Sequence, residues 1–291
     1  ARCAQHYPLP AGIDANQWRQ NQRLIVENAT RVIFPSADCC RRFLTFYDVK
    51  QSRVAWHPDY FLSQPYPVPT WNYCADLPLR VLVLGAISRE KGAQLLEETA
   101  ASLHGENIEF HLLGYAYRAL ASSVVTHGPY ANHDVYALIG QIAPDVVWFP
   151  ALWPETYSYT LSIALHMGLP VVIPDIGAFS ERVAGRSLSV VQKWDSTREE
   201  WREFWRSLLL RGVLPENCME SVSDTLESRA AVNFYQSEYL SCVQPLRGEL
   251  SRFPIKVRPG SIAAALFAMA DGYPLGELDY STSIAGLDSV S

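Results

Sequence analysis

The sequence predicts an α/β fold, in which a parallel sheet carries helices on both faces. Five short apolar segments, rich in β-branched and aromatic residues, are separated by helix-length segments or loops. Each of them is followed closely by glycine or proline, as expected for strands that end at one edge of a parallel sheet. Right-handed crossovers between such strands place the helices on both faces.

The first part of the chain predicts a few small elements. Residues 1–12 contain two prolines and a glycine and are expected to be irregular. Asn16–Asn28 has helical spacing of its apolar residues, and Ser36 is a suitable cap for a second helix. Short strands are predicted at Arg31–Phe34 and Arg53–Trp56.

Residues 64–78 contain four prolines and predict a linker. The sheet is expected to follow it, with helices at Lys91–Leu103 and Asp134–Ile142 and an edge strand at Ser187–Val191. The five strands are predicted at Arg80–Leu84, Ile108–Leu113, Ser123–Thr126, Asp145–Phe149 and Pro170–Pro174.

Two further helices are predicted after the sheet. Ser196 and Glu199 have the spacing of a capping box, and the helix after them carries a stripe typical of core packing. That stripe consists of Trp201, Phe204, Trp205 and Leu208. Asp224–Val243 is expected to form the second helix, and residues 245–291 have no clear pattern.

Composition excludes several classes of function. The net charge of −6 disfavours nucleic-acid binding, and no apolar run approaches the ~20 residues of a membrane span. The six cysteines and seven histidines have no metal-ligand spacing, so we expect reduced thiols, a cytoplasmic location and no metal. No Gly-x-Gly-x-x-Gly motif indicates a dinucleotide oxidoreductase, and no nucleophile elbow indicates a serine hydrolase.

The segment from Asp145 to Gly185 is the predicted functional centre. Its strand ends at Pro150–Pro154, and a helix is expected from near Thr156 to Gly168, burying one face that consists of Tyr159, Ile163 and Met167. Ligands of open α/β sheets bind where strands end, and anions bind at helix N-termini. We therefore expect backbone N–H groups of Thr156, Tyr157, Ser158 and Tyr159 to donate to an anionic ligand, with Glu155 beside them.

This segment resembles the donor-binding signature of family-four GT-B glycosyltransferases (glycosyl transferases group 1). Glu155 matches the first acidic position, Tyr157 the aromatic one and Ser158 the small one, while Gly168–Val171 matches the Gly-Leu-Pro-Val that follows. Ile163 occupies the second acidic position and cannot accept a hydrogen bond from a ribose hydroxyl. The recognisable motifs span residues 80–185.

The resemblance implies a domain organisation. Residues 1–63 would be a remnant of the N-terminal acceptor domain, and residues 64–78 the interdomain linker. Residues 79–214 would be the Rossmann-like domain that binds the donor, and residues 215–291 a C-terminal helix and tail. Because the chain begins at Ala1 without methionine, we expect a fragment whose missing N-terminal domain is a partner.

The resemblance also implies a set of site residues. Lys91 would hold the diphosphate after Gly85, whereas Ala86 stands where the family has an arginine. Gly114, His127 and Tyr130 would border the pocket of the base. Glu155 would contact the donor sugar, so Glu155 and Lys91 are the candidate catalytic residues.

The function implied is a hexosyltransferase that uses a nucleoside diphosphate sugar of UDP or GDP type and no metal cofactor. The acceptor would be a sugar or a lipid-linked glycan in surface-polysaccharide biosynthesis, with at most peripheral contact at the inner face of the membrane. Because of Ala86 and Ile163, a catalytically inactive nucleotide-sugar-binding or scaffolding domain remains an alternative. A GT-B-like sugar-nucleotide epimerase is the second alternative.

Overall fold

The computed structural model describes Gly12, residues 14–55, residues 66–215 and Glu238. The predicted helix Asp224–Val243, apart from Glu238, and the patternless residues 245–291 lie outside these residues.

The N-terminal segment forms two helices and two parallel strands. Helix α1 (Ala15–Asn28) precedes strand β1 (Val32–Phe34), and helix α2 (Ala37–Leu44) precedes strand β2 (Ser52–Val54). The prediction that Ser36 caps α2 is confirmed, because its hydroxyl oxygen accepts the N–H of Cys39 at 3.2 Å.

A second sheet of six parallel strands forms the centre of the described structure. Its order is β5-β4-β3-β6-β7-β8, which confirms the predicted parallel sheet and places the strand predicted at Ser187–Val191 at an edge. The strands are β3 (Leu79–Ile87), β4 (Ile108–Ala116), β5 (Val124–Gly128), β6 (Val146–Trp148), β7 (Val171–Pro174) and β8 (Ser189–Gln192).

Helices cover both faces of this sheet, as predicted. They are α3 (Ala93–Ser102), α4 (Val135–Ile142), α5 (Tyr159–His166), α6 (Phe179–Arg182) and α7 (Arg198–Arg211). Alternate residues of β3 point to opposite faces and therefore into two cores. Val81 and Val83 pack with α3 and α7, whereas Leu82 and Leu84 pack with α4 and α5.

The aromatic stripe of α7 confirms its predicted role in core packing. Trp201, Trp205 and Leu208 are at most 2% exposed, and Phe204 packs against the same core. A capping box is present, but it lies one residue later than predicted. Thr197 caps the helix, and its partner in the box is Glu200.

The largest correction concerns α5, which begins at Tyr159 rather than near Thr156. The shift changes the buried face, so Tyr159 is 52% exposed instead of buried. The side chains buried by this helix are Leu161, Ser162, Ala164 and Leu165, whereas Ile163 and Met167 pack only partly against the core.

Glu181 joins the N-terminal segment to the sheet domain. Its carboxylate lies on α6 and accepts the N–H of Ala37, at the start of α2, at 2.9 Å. Burial raises the pKa of this carboxyl above the 4.5 of an exposed glutamate, and the nearby charge of Asp38 acts in the same direction.

The raised pKa predicts a pH dependence of stability. As the pH rises above 4.5, the unfolded chain releases this proton before the folded chain does, so the free energy of unfolding falls until the raised pKa is passed. Glu181→Gln keeps a carbonyl acceptor but cannot ionise. Urea unfolding between about pH 4.5 and 7.5 should therefore show the wild type losing stability relative to this variant. If the free energy of unfolding of the wild type instead increased with pH relative to that of Glu181→Gln, the pKa of Glu181 would not be raised in the folded state.

Among the described residues, no helix combines the length and the apolar composition that crossing a bilayer requires.

Candidate functional site

The chain reverses its direction of travel across the sheet between β3 and β6. From β3 it proceeds outward to β4 and β5, and from β6 it proceeds outward on the other side to β7 and β8. The helices that follow β3 and β6 therefore pack on opposite faces of the sheet, with a crevice at the carboxyl ends of these two strands. This topological switch point is where open α/β sheets bind ligands.

The two loops are held together by close backbone contact. Gly92 has φ of +84°, and a Cβ on it would lie 2.0 Å from the carbonyl oxygen of Pro150. The N–H of Leu152 donates to the carbonyl oxygen of Glu90 at 2.8 Å. The residue between Glu90 and Gly92 is thus fixed beside the loop that follows β6.

That residue is Lys91, and its side chain meets Glu155. The ammonium nitrogen Nζ lies 3.1 Å from Oε1 of the carboxylate, with the lysine side chain 49% exposed and the glutamate side chain 19% exposed. An ion pair this accessible contributes at most about 1 kcal/mol. A ligand with several negative charges can therefore replace the carboxylate as the partner of Lys91.

A second glycine fixes the backbone of Glu155. Gly177 has φ of +71°, and a Cβ on it would lie 2.5 Å from the backbone nitrogen of Glu155. The N–H of Ala178 donates to the carbonyl oxygen of Glu155 at 2.8 Å. The turn after β7 thus sets the position of this carboxylate.

The N-terminus of α5 adjoins these residues. Ser158 caps the helix with φ of +69°, and its hydroxyl oxygen accepts the N–H of Leu161. The first turn of a helix provides N–H groups without acceptors inside the helix, and these attract anions. Because α5 begins at Tyr159, Thr156, Tyr157 and Ser158 form the turn before the helix.

A small cleft lies between these elements. Its volume is about 40 Å³, whereas sites for whole small molecules hold roughly 300–1,000 Å³. The lining includes five of the residues predicted for the site, which are Gly85, Ala86, Lys91, Glu155 and Ser158. Lys91 and Glu155 both line this small volume, so their ion pair lies at the cleft.

The left-handed backbone at Ser158 should affect the stability of variants at this position. A residue with a side chain costs about 1–2 kcal/mol in this conformation, and glycine does not. Ser158→Gly should therefore raise the free energy of unfolding by roughly 0.5–1 kcal/mol, although the weak cap is lost. Ser158→Ala keeps the strain and loses the cap, so urea unfolding should show it destabilised. Equal destabilisation of both variants would show that the turn is not strained.

The other predicted residues do not line the cleft. Gly114 supports its floor, because a Cβ there would lie 2.1 Å from the carbonyl oxygen of Gly85. Tyr157 is buried, and Thr156 and Tyr159 are exposed.

The two residues expected to border the base pocket lie near the end of β5. His127 is exposed, with its Nε2 3.0 Å from Nδ1 of His111. Tyr130 packs partly against the core of the α4 and α5 face, where burial raises the pKa of its hydroxyl.

Three further residues, which no sequence motif indicates, belong to this candidate site. Thr160 and Phe179 line the cleft. Arg182 is 5% exposed and donates to the carbonyl oxygens of Tyr157 and Ser158. Thr160 escaped notice because the helix start was placed too early, and Arg182 because a lone arginine in a short helix carries no motif.

Among residues 14–55 and 66–215, no three His, Cys, Asp or Glu side chains are grouped as metal ligands. Cys39, Cys40 and Cys74 are free thiols.

Comparison with known proteins gives structural but not sequence matches. No protein-family model matches the chain, and no curated protein matches its sequence. Among solved structures, Anabaena Alr3699/HepE in complex with UDP and glucose is similar with a TM-score of 0.53 and 16% identity, over 67% of this chain and 58% of that one.

Two further structures are similar to a comparable degree. WaaG, a glycosyltransferase involved in lipopolysaccharide biosynthesis, has a TM-score of 0.53 and 19% identity, over 72% of this chain and 63% of that one. Sucrose-phosphate synthase from Thermosynechococcus elongatus has a TM-score of 0.52 and 18% identity, over 72% of this chain and 56% of that one. The chain thus spans less than two thirds of the length of each structure. At this identity the likeness concerns architecture alone: the described six-stranded parallel sheet and its helices have the Rossmann-like α/β fold of part of these GT-B structures.

Proposed function

We propose that this chain is the donor-binding part of a glycosyltransferase that takes a sugar from a nucleoside diphosphate sugar. The observation that carries the proposal is the meeting of Lys91 and Glu155, 3.1 Å apart, beside the N-terminus of α5 at the switch point of the sheet. Similarity to HepE in complex with UDP and glucose, and to the glycosyltransferase WaaG, supports it.

The proposed chemistry follows from where charge develops. As the bond between the anomeric carbon and the β-phosphate oxygen breaks, its electron pair stays on the departing nucleoside diphosphate. The acceptor hydroxyl oxygen forms the new bond to the anomeric carbon and gives up its proton to a base. Lys91 and the first-turn N–H groups of α5 are placed to stabilise the leaving diphosphate, whose charge rises in the transition state.

The ion pair gives the site a way of exchanging partners. Breaking the accessible Lys91–Glu155 pair costs at most about 1 kcal/mol, whereas a hydrogen bond to a charged group contributes roughly 1.5–3 kcal/mol. Lys91 would therefore turn to the diphosphate. The carboxylate of Glu155 would then be released to accept hydrogen bonds from sugar hydroxyl groups, which is the role that the family resemblance suggested.

A binding domain without turnover is the second candidate. Ala86 lines the cleft and offers no positive charge where the family has an arginine, and Ile163 packs partly against the core. Both departures reduce the contacts available to a nucleotide. They favour a nucleotide-sugar-binding domain that lacks catalysis. No observation favours an epimerase.

The hexosyl group, the acceptor and the setting are further proposals. A sugar or lipid-linked glycan acceptor in polysaccharide biosynthesis, in the cytoplasm, is supported only by the resemblance and by the lipopolysaccharide role in the name of WaaG.

An acceptor domain would cover apolar groups of α1, which buries none of its residues and leaves Leu24 74% and Ile25 70% exposed.

Titration with a panel of nucleoside diphosphates and their sugars tests the proposal. We expect UDP or GDP to bind, and the matching nucleotide sugar to be hydrolysed slowly without an acceptor. Binding without hydrolysis would favour the domain without turnover, and an isomerised nucleotide sugar would indicate an epimerase. Absence of binding by every member of the panel would remove the proposed function.

A further inference from the structure

One buried arginine holds the turn that precedes α5. Nη1 of Arg182 donates to the carbonyl oxygens of Tyr157 at 3.0 Å and of Ser158 at 2.8 Å. Nη2 donates to the hydroxyl oxygens of Ser162 at 2.8 Å and of Tyr66 at 3.2 Å. The guanidinium carbon also lies 4.0 Å from the centre of the Tyr157 ring. A single side chain therefore connects this turn to the first turns of the helix.

This location is unfavourable for a cation on grounds of helix stability. The N-terminus of a helix carries a partial positive charge, so cations are stabilising at the opposite end. Arg182 is only 5% exposed, and removing a charge from water is costly. Two positive sources, the helix terminus and the guanidinium, are thus joined through Ser158, which lines the cleft. An anion bound at the cleft would offset both positive charges.

The hydrogen bonds also account for the strained backbone of Ser158. Its φ of +69° is rare for a residue with a side chain, and such conformations persist when the surroundings impose them. Arg182 imposes it by holding the carbonyl groups of Tyr157 and Ser158 on one side. The orientation of these peptide groups sets the start of α5 and hence the direction of the N–H groups of Tyr159 and Thr160.

We propose that Arg182 is a positioning residue of the anion site: it holds the Tyr157–Ser158 turn so that the first-turn N–H groups of α5 face a diphosphate, and it adds positive potential beneath them. The effect of Arg182 on diphosphate binding rests on the proposed function. The effect of Arg182 on the conformation of the turn does not, so the two effects can be tested separately.

Arg186 provides a matched control. It is a half-buried arginine that donates to the carbonyl oxygen of Leu169 at 2.7 Å and to the hydroxyl oxygen of Ser189 at 3.0 Å. These contacts lie after the C-terminal end of α5 and do not line the cleft. Arg186→Met therefore removes a half-buried cation, its hydrogen bond to a carbonyl and its hydrogen bond to a hydroxyl without touching the turn.

The first measurement is made without ligand, on the full chain. Amide hydrogen exchange of Leu161, whose N–H is held by the Ser158 hydroxyl, should be at least about tenfold faster in Arg182→Met than in wild type, relative to the buried strand residue Val172. Arg186→Met should leave that ratio unchanged. If Arg182→Met does not fold, Arg182→Lys serves, because lysine cannot reproduce the bonds to two carbonyl groups and two hydroxyl groups.

The second measurement is calorimetric titration with UDP. We expect affinity to fall at least about tenfold in Arg182→Met and to stay within about twofold in Arg186→Met. An unchanged Leu161 exchange ratio, or equal losses of UDP affinity in both variants, would overturn the role of Arg182. If wild-type protein does not bind UDP or GDP, the proposed function falls, and the exchange ratio still decides whether Arg182 holds the turn.

Discussion

Replacing Lys91 by alanine should weaken the binding of UDP or GDP by roughly 1–3 kcal/mol, the range for loss of a charge-assisted hydrogen bond. The loss is expected because Lys91 is the cation placed over the cleft, and Ala86 supplies no second charge. Isothermal titration calorimetry with each nucleotide measures the effect. An affinity within about twofold of wild type would show that the diphosphate does not reach this lysine.

Glu155→Gln provides the complementary test because it frees Lys91 from its ion pair. We expect UDP alone to bind a few-fold more tightly, by up to about 1 kcal/mol, since the competing carboxylate charge has gone. A nucleotide sugar should bind less tightly, or no better, because the amide is a weaker acceptor for sugar hydroxyl groups. Weaker binding of both ligands would contradict the exchange of partners.

Gly92→Ala should be among the most destabilising single substitutions in the chain. Gly92 has φ of +84°, and the new Cβ would lie 2.0 Å from the backbone oxygen of Pro150, so the two loops must separate. The expected loss is roughly 2–5 kcal/mol of unfolding free energy, from left-handed strain and a forced backbone shift together. Urea unfolding measures it, and the protein that stays folded should bind UDP less tightly because Lys91 is adjacent.

Gly105→Ala is the control for this effect. Gly105 has φ of +86°, yet a Cβ there meets no atom within 4 Å. Gly105→Ala should therefore lower the free energy of unfolding only by the left-handed strain, about 1–2 kcal/mol, and should not change UDP binding. If Gly92→Ala and Gly105→Ala lose the same stability, the two loops of the site are not locked by that contact.

Much of the fold could be predicted because its signals are local. Strands such as Pro170–Pro174 are apolar runs bounded by proline, and α7 carries both a capping box and an aromatic stripe. The extra length of β3, which continues through Gly85 to Ile87, could not be predicted in this way. Gly85 pairs in register with Gly114 of the neighbouring strand, and such pairing depends on residues distant in sequence.

The candidate site likewise has some features that the sequence indicates and others that depend on residues distant in sequence. The family resemblance points to Lys91 and Glu155 as a pair of site residues, and the topology brings their side chains together. The start of α5 was misplaced, because Ser158 takes a left-handed conformation that its own sequence does not favour. That conformation is imposed by Arg182, which lies 24 residues further along the chain. Tertiary contacts, rather than local propensity, thus fix the N-terminal end of the helix.

A crystal structure with UDP bound tests the central claim most directly. We expect the β-phosphate to accept hydrogen bonds from first-turn N–H groups of α5, with Nζ of Lys91 turned from Glu155 to the diphosphate. UDP bound elsewhere, or bound while the Lys91–Glu155 pair stays closed, would contradict the account.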